Sequence, residues 1–197
     1  MKIAIIGAGA IGGLVGARLA LAGEDVTFLV RGRNLQAIRE QGIRLVAADG
    51  QEHLARVRAT DDYAAAGPQD VVVPAMKAHQ LEAVVPSLRH LIGPDTLIVP
   101  MQNGIPYWYF QRFPGPYEGT QVRSVDPQGR IAQGIPADQV IGCVVYPASE
   151  LTAPGVVRHI EGDRFPLGEL DGRTTERVQR LSACFARAGF KAPVLDD

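Results

Sequence analysis

The chain has 197 residues, 46% of them hydrophobic and 21% charged, a balance that supports one substantial core and excludes a disordered tail or a highly charged fibre. With 20 basic against 21 acidic side chains the formal charge is −1. That leaves no positive excess for a sequence-independent grip on nucleic acid or anionic lipid, so neither is expected as a partner.

Residues 2–6 form a short β-branched and apolar run that stops at Gly7, and Ile11, Leu14, Val15, Leu19 and Leu21 follow at mostly helical spacing up to Gly23. Val26–Val30 is again strand-like. Two strands around one helix form a βαβ unit, which requires parallel pairing. A helix from about Leu35 to Gln41 ends at Gly42, and Ile43–Ala47 and His53–Arg58 read as a hairpin around Asp49-Gly50. Asp70–Ala75 is a buried-type strand, His79–Leu91 a helix and Thr96–Met101 the next strand. Residues 107–117 then hold half of the aromatic side chains: Tyr107, Trp108, Tyr109, Phe110, Phe113 and Tyr117. A loop rich in glycine and proline runs to residue 138, and Ser124 and Asp126 read as its turn residues. Val140–Tyr146 resumes a strand, Val156–Ile160 and Phe165–Leu167 read as antiparallel additions, and Thr174–Ala188 is an amphipathic helix closed by Gly189. The predicted fold is α/β, a Rossmann-type doubly wound, mostly parallel sheet with an antiparallel edge.

Gly7-Ala8-Gly9-Ala10-Ile11-Gly12 is a GxGxxG sequence entered by a strand and left by a helix. In that context Gly7 makes the tight turn, Gly9 lets the backbone approach a pyrophosphate, and Gly12 lets helix and strand pack closely. Gly13 and Gly16 are assigned to packing. The end of the second strand selects the dinucleotide, because an acidic residue accepts from a ribose 2′-hydroxyl whereas a cation pairs with a 2′-phosphate. Arg31 stands there, with Arg33 and Asn34 as helpers, while Asp25 begins the strand, far from the ribose end. NADP(H) is therefore the expected cofactor, ahead of NAD or a flavin. Lys77 and Asn103 follow the next two strands. A lysine there neutralises a substrate carboxylate and an asparagine amide orients a ribose or a hydroxyl; equally, Lys77 is a solvated helix-start residue and Asn103 a left-handed turn residue before Gly104.

The two cysteines, Cys143 and Cys184, form no CxxC, and His53, His79, His90 and His159 share no metal-ligand spacing, so neither a disulfide framework nor a metal site is expected. A GxSxG nucleophile turn is also missing. The first apolar run is too short for a signal segment, and no later one approaches the roughly 18 residues of a membrane span. The expected location is the cytoplasm.

Met1-Lys2-Ile3-Ala4-Ile5-Ile6-Gly7-Ala8-Gly9-Ala10-Ile11-Gly12-Gly13, Val26-Thr27-Phe28-Leu29-Val30-Arg31, Met76-Lys77-Ala78-His79-Gln80 and Gln102-Asn103-Gly104 together resemble the ketopantoate reductases (2-dehydropantoate 2-reductases). The resemblance covers nearly the whole chain. It implies NADPH-dependent reduction of 2-dehydropantoate to (R)-pantoate, towards pantothenate and coenzyme A. It also implies that Arg31 takes the 2′-phosphate while Lys77 and Asn103 face nicotinamide and substrate. The family carries a second, all-helical domain with the general-acid lysine. The expectation is thus that residues 1–192 form the NADP-binding domain, that 193–197 begin a linker to that second domain, and that this chain alone holds no catalytic acid and is inactive. The aromatic stretch at 105–117 departs from shorter family members. It is expected to face the second domain and leaves open a different, larger 2-keto acid substrate, while the missing second half leaves open a non-catalytic NADP-binding sensor. An apolar face left without its second domain predicts self-association, a homodimer being one form of it.

Overall fold

The computed structural model describes residues 1–196. The chain opens with β1 (Lys2–Ile6), α1 (Ala10–Leu21) and β2 (Asp25–Leu29). β1 and β2 pair in parallel, Lys2 opposite Asp25 and Ile6 opposite Leu29, with α1 as the crossover. Both strands are buried from their second residue onward, which is why they read as unbroken apolar runs and not as alternating ones. Next come α2 (Gly32–Gln41), β3 (Ile43–Val46), β4 (Glu52–Ala55), β5 (Arg58–Thr60), α3 (Tyr63–Ala66), β6 (Val71–Pro74), α4 (Leu81–Leu88) and β7 (Leu97–Ile98). One sheet takes the order β5-β2-β1-β6-β7, every neighbouring pair being parallel. The order reverses between β1 and β6, so a crevice opens beyond the carboxyl ends of those two strands.

The remainder comprises α5 (Arg130–Gly134), β8 (Ile141–Cys143), β9 (Ala148–Ala153), β10 (Val156–Glu161), β11 (Leu167–Glu169), α6 (Glu176–Arg187) and β12 (Val194–Leu195). A parallel bridge between Ile98 and Val140 brings β8 alongside β7, and β8 pairs antiparallel with β11. The mostly parallel sheet thereby gains its antiparallel edge. Thr175 caps α6 by accepting from Val178 N at 3.4 Å. Val178, Leu181, Cys184 and Phe185 turn its apolar stripe onto the core beside Phe28 and Phe165. On the opposite face of the sheet Leu81, Leu88 and Leu91 pack with Ile6, Val72 and Ile98.

A separate sheet, β4-β3-β10-β9, covers α1 from outside. α1 tolerates three glycines, each costing about 1 kcal/mol against alanine in a helix, because it is squeezed from both sides. A Cβ on Gly13 would lie 2.3 Å from Val157 Cγ2 of β10, and one on Gly16 would lie 2.3 Å from Phe28 Cζ of β2. Their packing role is thus spatial necessity.

Five features differ from the sequence reading. The run His53–Arg58 is two strands: β4 closes the hairpin with β3, while β5 leaves it to pair with β2 in the main sheet. Val156–Ile160 belongs to the second sheet, parallel to β3 and antiparallel to β9. β9 itself, Ala-Ser-Glu-Leu-Thr-Ala, gave no strand signal because it is an edge strand exposed along most of its length. Asp126 is not a solvated turn residue: it is 1% exposed, and its carboxylate accepts from Ile131 N at 3.2 Å and Ala132 N at 3.0 Å at the start of α5. Val194–Leu195, within the stretch expected as a linker, pairs with Leu167–Gly168; Asp197 lies outside the described residues.

Candidate functional site

The ladders of the central strands run straight into the glycine turn. Gly7 N donates to Leu29 O at 3.0 Å and Ala75 N donates to Ile6 O at 3.0 Å. Gly7 has φ +97°, a left-handed conformation that side chains disfavour. A Cβ on Gly12 would fall 2.1 Å from Gly7 O, so the turn and the first turn of α1 touch backbone to backbone. Gly9 is the opposite case: a Cβ there meets nothing within 4 Å. The space in front of it is open.

Gly9 is the N-cap of α1, makes no side-chain capping bond, and is followed by a first turn without acidic residues. Gly13 N donates to Gly9 O at 2.8 Å, which leaves the preceding helix-start N–H groups of Ala10, Ile11 and Gly12 without intrahelical acceptors. Those donors, together with the positive end of the helix, are available to hold an anion. Ala8 is buried at 2% exposure and anchors the turn, while Ala10 and Ile11 are half-buried at the crevice floor.

Arg31 stands beyond the end of β2 as the N-cap residue of α2, exposed. It has no acidic partner within ion-pair distance among the described residues. It lies close enough to Tyr63 on α3 to act on its hydroxyl, whose pKa burial raises and the Arg31 charge opposes. Asp25 sits at the other end of β2 in an ion pair with Arg58 at 2.9 Å, away from the crevice as the sequence predicts. Arg33 is exposed. Asn34 is engaged within the protein: its Oδ1 accepts from Gly155 N at 3.1 Å and its Nδ2 approaches Ala8 O at 3.5 Å. Asn34 therefore ties the glycine turn to the β9–β10 corner, a partner 121 residues away in sequence.

Lys77 follows β6 and is exposed, its backbone N–H donating to Gln80 Oε1 at 3.3 Å. Asn103 follows β7, and its side-chain amide is paired with the main chain of Val145 beyond β8. In the order β2-β1-β6-β7 the ends carrying Arg31 and Asn103 are three strand spacings apart, roughly 14 Å, with the glycine turn and Lys77 between them. That span suits an extended dinucleotide lying across the crevice. Sequence reading overlooked Gln102, whose amide spans from β7 to the loop after β6; its only signal was its place beside Asn103.

The aromatic stretch divides. Tyr107 is 6% exposed and lies in the core with Leu88 and Ile131, so it is a packing residue and not part of an outward face. Trp108 stacks against Gly142, where a Cβ would lie 3.1 Å from its ring. Ile105, Tyr109, Phe113 and Tyr117 are exposed. Burial pushes the Cys143 and Cys184 thiols up to about 12, which removes both as thiolate nucleophiles at neutral pH. Among the described residues no cluster of metal-ligating side chains is present, and no helix is long and apolar enough to cross a membrane.

The family described as ketopantoate reductase PanE/ApbA matches residues 3–172. The chain belongs to the ketopantoate reductase family. A 2-dehydropantoate 2-reductase of Mesorhizobium japonicum is 50% identical over 198 aligned positions, covering 100% of this chain and 60% of the relative. A crystal structure from Ralstonia solanacearum MolK2 that carries the ketopantoate reductase name superposes with a TM-score of 0.95 at 48% identity, covering 99% of this chain and 60% of that one. The 2-dehydropantoate 2-reductase of Geobacter metallireducens GS-15 superposes with a TM-score of 0.81 at 31% identity, covering 100% of this chain and 58% of that one. The chain thus spans about three fifths of the length of these ketopantoate reductase relatives.

Proposed function

We propose that this chain is the coenzyme-binding part of an NADP(H)-dependent 2-keto acid reductase, with 2-dehydropantoate as the substrate and (R)-pantoate as the product. The coenzyme domain extends from residue 1 through Leu195, because β12 pairs with β11. The observation that carries the reading is the juxtaposition, beyond the carboxyl ends of the neighbouring strands β1 and β2, of an uncapped, acid-free helix N-terminus behind Gly9 and the Arg31 cation, which has no acidic partner among the described residues. The first suits a pyrophosphate and the second a 2′-phosphate. The relatives named for 2-dehydropantoate reduction support the substrate assignment.

When bound, the nicotinamide supplies the hydride. The chain's own residues bind and orient. Backbone N–H groups of Ala10–Gly12 hold the pyrophosphate, and open space at Gly9 lets it come close. Arg31 would hold the 2′-phosphate through its guanidinium. Lys77, without an ionic partner among the described residues, neutralises the substrate carboxylate. Asn103 keeps one N–H and one lone pair after its two bonds to Val145, enough to orient a ribose hydroxyl or the substrate. Proton donation is not assigned to Lys77, whose place is at the carboxylate.

The test is absorbance at 340 nm with the protein that carries this chain, across a panel of 2-keto acids. NADPH consumption fastest with 2-dehydropantoate supports the reading. A bulkier 2-keto acid outcompeting it would correct the substrate, and NADPH binding without turnover on any member would favour a sensor.

A further inference from the structure

The wall of the crevice after β6 is held by a side chain from the next strand. Gln102 Nε2 donates to Pro74 O at 2.8 Å and to Met76 O at 3.0 Å, which uses both amide hydrogens. The last backbone bond of that ladder is Met101 N to Pro74 O at 2.9 Å. Gln102 therefore extends the join between the two strands by two residues, through a side chain.

The segment so held borders both halves of the site. A Cβ built on Gly7 would lie 3.5 Å from Met76 N, so residues 75–76 form one wall of the glycine turn. Lys77 follows directly, with its own N–H fixed by Gln80. Asn103, adjacent to Gln102, is fixed in turn by Val145. The adenosine end, at Arg31, lies on the other side of β1 and shares none of these bonds.

We infer that Gln102 is a positioning residue for the nicotinamide and substrate end of the crevice, acting by holding the main chain of residues 74–77 against β7. This rests on the NADP(H) reading above and deepens it. Without the two donors Pro74 O keeps Met101 N, while Met76 O loses its protein partner and the segment bearing Lys77 is free to shift. A displacement of about 1 Å at a reacting centre is enough to cost on the order of 100-fold in rate.

Two variants separate this role from simple stability. Gln102→Met keeps length and bulk without donors, and Gln102→Glu keeps shape but turns an acceptor towards two carbonyls. On the intact chain, NADPH is titrated by fluorescence, adenosine 2′,5′-bisphosphate by calorimetry, and folding is followed by a thermal melt. The expected result for Gln102→Met is NADPH affinity lowered about tenfold, a loss of about 1.4 kcal/mol, with adenosine 2′,5′-bisphosphate affinity changed less than about twofold. Gln102→Glu, whose carboxylate faces two carbonyls without a donor, loses at least as much NADPH affinity at about pH 7. If Gln102→Met fails to fold, the two-ligand comparison is made on Gln102→Glu. Equal losses for both ligands, or no loss for either, overturn the inference. An unmodified chain that binds neither probe overturns the coenzyme reading itself.

Discussion

The side-chain amide of Asn103 is paired with the main chain of Val145, Nδ2 donating to the carbonyl at 3.0 Å and Oδ1 accepting from the N–H at 3.3 Å. The pair joins the ends of β7 and β8 where no strand ladder does. Asn103→Asp replaces the donor with an oxygen facing Val145 O, and a drop of about 1–2 kcal/mol in unfolding free energy is expected from the lost bond and the repulsion. Urea unfolding measures it. An unchanged midpoint would show that the pair contributes nothing to the fold.

Arg31 has no acidic partner among the described residues, so under the proposed reading its loss falls on whichever coenzyme carries the extra phosphate. Arg31→Ala should weaken NADPH by about 1.5–3 kcal/mol, roughly 10- to 150-fold, and NADH by no more than about threefold. Fluorescence titration of both coenzymes decides it. Equal weakening would remove the 2′-phosphate from Arg31.

Two glycines of one turn predict opposite outcomes. At Gly12 a Cβ would meet Gly7 O at 2.1 Å, so Gly12→Ala should lower stability by about 3 kcal/mol through backbone displacement. At Gly9 a Cβ meets open space, so Gly9→Ala should leave the melting temperature nearly unchanged while weakening NADPH. A Gly9→Ala chain that binds NADPH normally would place the pyrophosphate elsewhere.

Much of this was legible in the sequence, because the glycine turn, the buried parallel strands and Arg31 are local signals. Gly7 needs its own positive φ, and β1 shows its burial in four consecutive apolar residues, Ile3 to Ile6. What stayed hidden depends on partners far along the chain. Asn34 gives no sign in the sequence of its bond to Gly155, 121 residues away. Asp126 looks like a turn residue until α5 starts on its carboxylate. Val57, between β4 and β5, gives no sign that the chain changes sheets there.

The acidic turn after β11 predicts the acid limit of the fold. Burial raises the pKa of Glu169, whose side chain is 3% exposed, but hydrogen bonds from Arg177 and Thr175 outweigh it and leave the carboxyl below its ordinary value. Hydrogen bonding to Arg173, helped by Arg112, likewise lowers Asp171. Groups with depressed folded-state pKa values stabilise above their unfolded values and lose that contribution as pH falls through the folded ones. Urea midpoints should therefore be flat from about pH 7 to about pH 5 and fall below about pH 4. Arg177→Met should lower stability by about 2 kcal/mol at neutral pH, less than a fully buried pair because Arg177 is partly exposed, and should make the fall below about pH 4 shallower. An identical acid profile in the variant would assign the limit to other carboxylates.

The central claim is that a diphosphate sits on the start of α1 and a 2′-phosphate on the end of β2. Backbone amide shifts recorded by NMR during an NADPH titration test it most directly. The account predicts saturable shifts concentrated at Gly9–Gly12 and Arg31–Gly32, with those at Arg31–Gly32 much reduced when NADH is used instead. Saturable shifts elsewhere with these amides unmoved, or no saturable shift at all, would contradict it.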